Sequence, residues 1–166
     1  MVETMTQQRG DIGTTRRDVL KMAGGIAVGS TLVSLTVTPA AGTPAEMQAA
    51  LAKVIGDARL NVGKVKLEIP PLVENGNTVP CAVTVESPMT PVEHVKAIHI
   101  FTEKNPQPNV ISVRLGPRAG RASISTRMRL RDTQNVLAIA EMSDGSFWSD
   151  RVNVMITLGA CLEDLI

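Results

Sequence analysis

Aromatic residues, cysteines and histidines are scarce in this 166-residue sequence. It has one Trp, two Phe and no Tyr, together with two Cys and two His. The core must therefore be filled by Val, Ile, Leu, Ala and Met, which favours β-strands over an aromatic-lined ligand pocket. Residues 42–166 hold thirteen Lys/Arg and thirteen Asp/Glu. Such a balanced chain has no electrostatic basis for binding nucleic acid.

Common catalytic and metal-binding motifs are missing as well. The sequence contains no HExxH, CxxC or GxSxG. His94 and His99, five positions apart on a strand, would point to opposite faces and could not easily bind one metal together. A hydrogen-bonded histidine in the core or at a strand edge is the favoured interpretation of His99. The sequence predicts no metal site.

The first 41 residues predict an export signal. The pair Arg16-Arg17 precedes a moderately apolar run, residues 22–37, and small residues at 39–41 suit cleavage. This is the layout of a twin-arginine signal. A membrane anchor would need roughly 20 uninterrupted apolar residues, whereas glycines, serines and threonines interrupt this run. We expect a periplasmic protein that is exported folded and has no membrane attachment after cleavage.

A short helix is predicted next. Thr43 suits the N-cap, Pro44 the first helical position and Glu46 the third, as in a capping box. Four apolar residues recur at helical spacing: Met47, Leu51, Val54 and Ile55. We expect a helix to about Asp57 whose apolar stripe packs on the strands that follow.

Seven later segments have the apolar patterns of strands. They lie near residues 64–69, 81–86, 95–101, 111–115, 124–131, 136–142 and 152–157. Turns separate them, including Glu74–Asn77, where Asn and Gly suit positive φ, and Ser143–Ser146. The pattern predicts an all-β fold: an immunoglobulin-like β-sandwich of about seven strands with a short N-terminal helix and a flexible C-terminal arm.

The predicted organisation has four parts. The export signal spans residues 1–41, the helix and a linker 42–63, the sandwich 64–157 and the arm 158–166.

Several arginines are clustered late in the sequence: Arg118, Arg121, Arg127, Arg129 and Arg131. The last three alternate, which predicts one cationic strand face. This face could meet an anionic substrate or the acidic surface of a partner. The favoured interpretation is a solvated face that protects a strand edge. No aromatic residue lies among these arginines, which argues against binding of single-stranded nucleic acid.

The two cysteines differ in setting. Cys81 has the parity of the core and is interpreted as a small buried hydrophobe. Cys161 lies on the terminal arm, where exposure favours thiol chemistry, but Glu163 and Asp164 disfavour the thiolate. A Cys81–Cys161 disulfide would require the tail to enter the core. The residues alone leave the role of Cys161 open.

Five blocks of the sequence carry a family resemblance. They are 73–80 (VENGNTVP), 86–90 (ESPMT), 95–101 (VKAIHIF), 105–108 (NPQP) and 133–147 (TQNVLAIAEMSDGSF). With the twin-arginine signal these blocks span nearly the whole chain, which resembles the SoxY family of sulfur carriers in periplasmic thiosulfate oxidation.

The resemblance implies a carrier without enzymatic activity of its own. It implies a heterodimer with a SoxZ-like β-sandwich subunit, and a cysteine in a C-terminal Gly-Gly-Cys-Gly-Gly arm that holds the substrate covalently. A haem c enzyme would attach thiosulfate, a hydrolase would release sulfate, and a sulfur dehydrogenase would oxidise the remaining sulfur. Cys161 matches the carrier cysteine, so a covalent sulfur adduct on Cys161 is expected and no tightly bound cofactor.

The arm departs from the family pattern. Gly159 keeps one of the two preceding glycines, Ala160 replaces the other, and the branched or acidic residues 162–166 follow the cysteine. Gly159 and Ala160 are assigned to arm flexibility. The departures also support an alternative, a degenerate SoxY-like paralogue that acts as a non-catalytic binding or regulatory subunit.

Overall fold

One helix and nine strands make up the regular structure of residues 41–160, the part of the chain that the computed structural model describes. The elements are α1 Pro44–Ile55, β1 Leu60–Val62, β2 Val65–Glu68, β3 Leu72–Asn75, β4 Val79–Val85, β5 Val95–Thr102, β6 Asn109–Arg114, β7 Ala122–Met128, β8 Gln134–Met142 and β9 Phe147–Leu158.

The strands form two sheets. The larger has the order β1-β9-β8-β5-β6, with β3 also paired to β9, and the smaller has the order β2-β4-β7. This confirms the predicted all-β, immunoglobulin-like sandwich. The predicted strand count was two too low, because β1 and β3 were missed. Both pair in parallel with β9 and have only three and four residues, too few for a two-residue period to be recognised.

The main core lies between the two sheets. Strand β4 contributes alternate residues, which confirms the predicted parity of Cys81. Strands β5 and β8 are instead buried on both faces, apart from the exposed Lys96 and a few half-buried polar residues. Burying a Val, Leu or Ile side chain stabilises the fold by about 1.5–3 kcal/mol. Val154 of β9 belongs to this core, which thereby anchors the strand.

Helix α1 covers the outer face of the larger sheet. Met47 and Leu51 are buried in a second cluster. Their partners there are Phe101, Leu137, Ile139 and Phe147. Thr43 and Glu46 form the predicted capping box. The helix ends at Ile55 instead of about Asp57, because Gly56 adopts φ +57 and ψ −132, a backbone conformation outside the helical region.

The β8–β9 hairpin forms at the predicted turn. Gly145 has φ +81 and Met142 N–H donates to the carbonyl oxygen of Ser146 at 2.9 Å. Within residues 41–160, no helix combines the length and apolar character needed to cross a membrane. The predicted export signal falls outside the described residues apart from Ala41.

Candidate functional site

Strand β9 leads directly into the predicted carrier arm. It ends at Leu158, and Gly159 and Ala160 are the last described residues. Cys161, the predicted attachment site for sulfur, lies outside the described residues. What the structure positions is the segment Leu158–Ala160, called the tail root below.

Backbone packing explains why position 159 is glycine. Gly159 is buried, and a Cβ atom there would lie 1.9 Å from the carbonyl oxygen of Arg131. The next residue is also held, because Ala160 N–H donates to the carbonyl oxygen of Leu130 at 3.1 Å. The predicted role of Gly159 and Ala160 in flexibility stays a prediction. Independently of flexibility, the close approach of the Arg131 backbone requires that position 159 has no side chain.

A second glycine holds the other side of the tail root. Gly76 N–H donates to the carbonyl oxygen of Leu158, and Leu130 N–H donates to the carbonyl oxygen of Gly76, both at 2.8 Å. A Cβ atom on Gly76 would lie 2.2 Å from Leu130 O. Gly76 is not among the positive-φ residues, so the expected reason for this glycine was wrong. Close backbone approach, and not a left-handed turn, requires it.

Two threonines tether the end of β9. Thr133 Oγ1 accepts a hydrogen bond from Ile156 N–H at 2.9 Å, and Thr157 Oγ1 donates to the carbonyl oxygen of Glu74 at 2.9 Å. Sequence reasoning missed these residues, as it missed the contacts of Gly76. The one available signal was the Asn-Gly pair at 75–76, which predicts a turn but not a contact with residue 158.

A cleft of about 250 Å³ lies beside the segment that contacts the tail root. It is lined by residues 41–44, Lys104, Arg131 and Asp132, and is called the root cleft below. Gly42 N–H donates to the carbonyl oxygen of Lys104 at 3.1 Å. The root cleft thus joins three regions that are far apart in the sequence: the chain entering α1, the loop after β5 and the loop after β7.

The electrostatics of the root cleft centre on an ion pair. Lys104 Nζ lies 2.7 Å from Asp132 Oδ2. The pKa of Asp132 is lowered by the hydrogen bond from Lys104, by the Thr133 N–H and, more weakly, by the charges of Lys104 and Arg131. Two cationic side chains, Lys104 and Arg131, and the Asp132 carboxylate therefore line this cleft.

The arginine cluster is less regular than predicted. Arg127 is exposed on β7, which is an edge strand, as the edge-protection interpretation expected. However, β7 ends at Met128, so Arg129 and Arg131 follow the strand instead of continuing its face. The single cationic strand face was therefore a wrong prediction, and Arg131 lines the root cleft instead.

Cys81 is unsuited to nucleophilic chemistry. It is a free thiol with 2% of its surface exposed. Burial raises the pKa of Cys81 to about 11. Since the thiolate is the reactive form, this residue stays protonated and inaccessible at neutral pH. The interpretation of Cys81 as a buried hydrophobe is confirmed.

The histidines do not form a metal site in the described part of the chain. His99 Nδ1 lies 2.8 Å from Ser112 Oγ, so the prediction of a hydrogen-bonded histidine is confirmed. Burial lowers the pKa of His99. His94 Nδ1 is buried and has no hydrogen-bond partner. Among residues 41–160, no group of three or more His, Cys, Asp or Glu side chains could hold a metal ion.

Comparison with known proteins gives two kinds of match. Residues 51–161 match the family model described as "Sulfur oxidation protein SoxY". The solved structure of the sulfur carrier protein SoxY from Chlorobium limicola f thiosulfatophilum is similar, with 26% identity, a TM-score of 0.58, and coverage of 69% of this chain and 98% of that one. No curated protein matched the sequence.

A superoxide reductase (neelaredoxin) from Ignicoccus hospitalis is also similar in structure. Its TM-score is 0.51 at 16% identity, with coverage of 69% of this chain and 94% of that one. At this identity the likeness concerns the sandwich fold alone.

Proposed function

This chain belongs to the SoxY family of sulfur oxidation proteins, and from that membership we propose that it is a covalent sulfur carrier whose attachment residue is Cys161. The observation that carries the proposal is the family match over residues 51–161, which extends through the terminal cysteine. A carrier holds intermediates and presents them to other proteins. The chain itself is then a substrate platform and not an enzyme.

The loading step is an oxidative coupling. Cys161 and the outer sulfur of thiosulfate form an S–S bond, the thiol releases one proton, and two electrons pass to a haem c partner enzyme. Cys161 then carries a –S–S–SO₃⁻ group. A thiolate is the attacking species in such sulfur exchange, so the residue must be exposed. Cys81 fails this requirement because it is buried and its pKa is raised to about 11.

The later steps return the carrier to its thiol. A hydrolase adds water across the S–SO₃ bond, which releases sulfate and a proton and leaves a persulfide on Cys161. A sulfur dehydrogenase then removes six electrons from the outer sulfur, while three waters supply its oxygens and seven protons pass to solvent. Hydrolysis of the resulting –S–SO₃⁻ group releases the second sulfate and restores the thiol. This chain contributes attachment and delivery, and the partner enzymes contribute the chemistry.

A heterodimer with a SoxZ-like subunit and periplasmic location complete the proposal. Exposed apolar side chains lie near the tail root: Leu72, Met155 and Leu158. The first two are direct neighbours in the β3–β9 register. An exposed apolar surface of this kind suits a partner subunit. The twin arginine at 16–17 supports export of the folded pair.

Mass spectrometry of the intact protein tests the carrier function. After incubation with thiosulfate and the oxidising haem c partner, we expect a mass increase for the –S–SO₃ group that dithiothreitol reverses. Cys161→Ser should abolish it, whereas the matched control Cys81→Ser should keep it. An unmodified Cys161 under conditions that load a carrier ending in two glycines would refute the proposal.

The unusual tail favours one alternative, a paralogue that binds the partner subunit but carries no sulfur. Its basis is Ala160 and the residues 162–166 in place of glycines. The same experiment separates the two functions. Co-purification with a SoxZ-like subunit, together with an unloaded Cys161 and a neighbouring gene for a second SoxY that ends in two glycines, would establish the alternative.

A further inference from the structure

A second cleft lies on the outer face of the larger sheet, where β8, β5 and β6 run side by side. Its volume is about 470 Å³, within the range of small-molecule sites. The strand register explains how it forms, because Ala97 on β5 lies between Arg114 on β6 and Glu141 on β8. A short side chain between two long ones leaves a depression in the surface of the sheet. This cleft, called the outer pocket below, is lined by Lys96, Ala97, His99, Arg114, Leu115 and Glu141.

The charges that line the outer pocket leave one cation without a partner. A β-bulge in β5 takes Lys96 out of the regular register, and its ammonium group forms an ion pair with Glu141. Arg114 is exposed and, within residues 41–160, its side chain forms no ion pair and no hydrogen bond. A guanidinium group in this state can bind a carboxylate or another oxyanion through two parallel N–H donors.

A chain of hydrogen bonds determines which nitrogen of His99 carries the proton. Ser112 Oγ donates its only proton to Asn109 Oδ1 at 3.1 Å, so His99 Nδ1–H donates to Ser112 Oγ at 2.8 Å. Burial lowers the pKa of His99, so the neutral imidazole predominates at pH 7. The other ring nitrogen, Nε2, therefore holds a lone pair. Proteins commonly orient an imidazole through one nitrogen in this way when the other nitrogen contacts a ligand.

The Nε2 atom of His99 is an accessible acceptor. No group of residues 41–160 donates a hydrogen bond to it, and it is not among the buried polar atoms that lack a partner, so it is open to solvent. Arg114 lies two residues after Ser112, the cross-strand partner of His99, so Arg114 and His99 lie on one face of the sheet. The outer pocket thus combines an unpaired cation with an unpaired acceptor.

We propose that the outer pocket binds a small oxyanion that carries its own O–H donor. Arg114 holds the anionic oxygens, and His99 Nε2 accepts the hydrogen bond from the O–H group of the ligand. Hydrogen phosphate and a 2-hydroxycarboxylate such as glycolate both present this combination. Sulfate and acetate present anionic oxygens alone and would leave Nε2 unpaired. The inference does not depend on the proposed carrier function.

Titration of the full chain with these four ions at pH 7 and constant ionic strength, followed by amide chemical shifts, tests the site. Phosphate or glycolate should cause saturable shifts at residues 96–99 and 112–115. Sulfate should bind about two- to tenfold more weakly than phosphate, and acetate more weakly than glycolate by the same factor, the effect of one hydrogen bond. Saturation by phosphate alone identifies an inorganic ligand, and saturation by glycolate alone identifies a hydroxycarboxylate.

Replacement of the arginine tests the anionic contact. Arg114→Gln should raise Kd about tenfold or more, the loss expected for a hydrogen bond to a charged group. Arg127→Gln is the matched control, because Arg127 is an exposed arginine on the smaller sheet. This variant should leave Kd unchanged.

Two replacements of His99 separate the roles of its two nitrogens. The amide of His99→Asn reaches the place of Nδ1, whereas the amide of His99→Gln reaches the place of Nε2. The ratio of Kd for acetate to Kd for glycolate should fall to about one in His99→Asn and return in His99→Gln. Because both constants are measured on the same variant, a loss of stability does not alter their ratio.

Three results would overturn the inference. The first is the absence of saturable shifts at residues 96–99 and 112–115 with phosphate and with glycolate. The second is equal affinity of the wild-type chain for the ions with and without an O–H donor. The third is an equal loss of affinity in Arg114→Gln and Arg127→Gln.

Discussion

Replacing Gly159 by alanine should detach the tail root from the sandwich. The new Cβ would lie 1.9 Å from the carbonyl oxygen of Arg131, whereas ordinary contacts begin at about 3.4 Å. One of the two backbones must therefore move by more than 1 Å, about 3.4 minus 1.9, and neither end is a flexible side chain. The Ala160 N–H bond to Leu130, 3.1 Å long, then breaks.

The cost can be bounded from two effects. Adding a methyl group to a close-packed site costs about 1–3 kcal/mol, and each lost backbone hydrogen bond costs about 0.5–1.5 kcal/mol. We expect Gly159→Ala to lower the free energy of unfolding by about 1.5–4.5 kcal/mol if the shifted tail root stays on the sandwich. If the tail root is released from the sandwich, the free energy of unfolding falls by less, and the effect is confined to the contacts of residues 158–160.

Urea unfolding and amide hydrogen exchange together separate these outcomes. In either case the amides of Ala160 and Gly76, which donate within this contact, should exchange faster than in the wild type. Gly116→Ala is the matched control, because Gly116 has open space at its Cβ position and no positive φ, and its effect should stay within about 0.5 kcal/mol. Wild-type stability together with wild-type exchange at Ala160 in Gly159→Ala would refute the packing argument.

Three further predictions concern single side chains. Burial raises the pKa of Cys81 from 9.0 to about 11, so the thiol of the unfolded chain loses its proton at a lower pH than the thiol of the folded chain. The free energy of unfolding should therefore fall between about pH 9 and pH 11, and this pH dependence should be weaker in Cys81→Ala. Burial lowers the pKa of His99, so as pH falls the imidazole of the unfolded chain is protonated before that of the folded chain. The free energy of unfolding should therefore decrease below about pH 6.5, and His99→Asn should reduce this decrease. Thr43→Ala removes the hydroxyl that accepts a hydrogen bond from Glu46 N–H and should lower the free energy of unfolding by about 1 kcal/mol. Thr78→Ala, at an exposed threonine, is the control. Equal melting temperatures for the two variants would contradict the stabilising role of the capping box.

Local pattern predicted most of the fold. The capping box at Thr43 and Glu46 and the alternation around Cys81 each depend on neighbours in sequence, and each is confirmed. Strands β1 and β3 were not predicted because their partner β9 lies about 80 residues further along the chain. Short segments become strands through that pairing and not through their own composition.

Some features of the candidate site could likewise be predicted from the sequence, and others could not. The family resemblance and the terminal cysteine were available in the sequence, and the match over residues 51–161 supports them. The reason for Gly76 was misjudged because its neighbour Leu158 is 82 positions later, and Arg131 was assigned to a strand face that ends at Met128. Contacts between distant backbones leave no periodic signal.

The sandwich, its helix, the buried character of Cys81 and the carrier resemblance could all be predicted from periodicity, capping and motif. Two features required the folded chain: residues 158–160 are held between Gly76 and the segment 130–131, and Lys104 and Arg131 line one cleft beside them. Long-range packing brings these residues together, since their separation along the chain exceeds the reach of any local pattern.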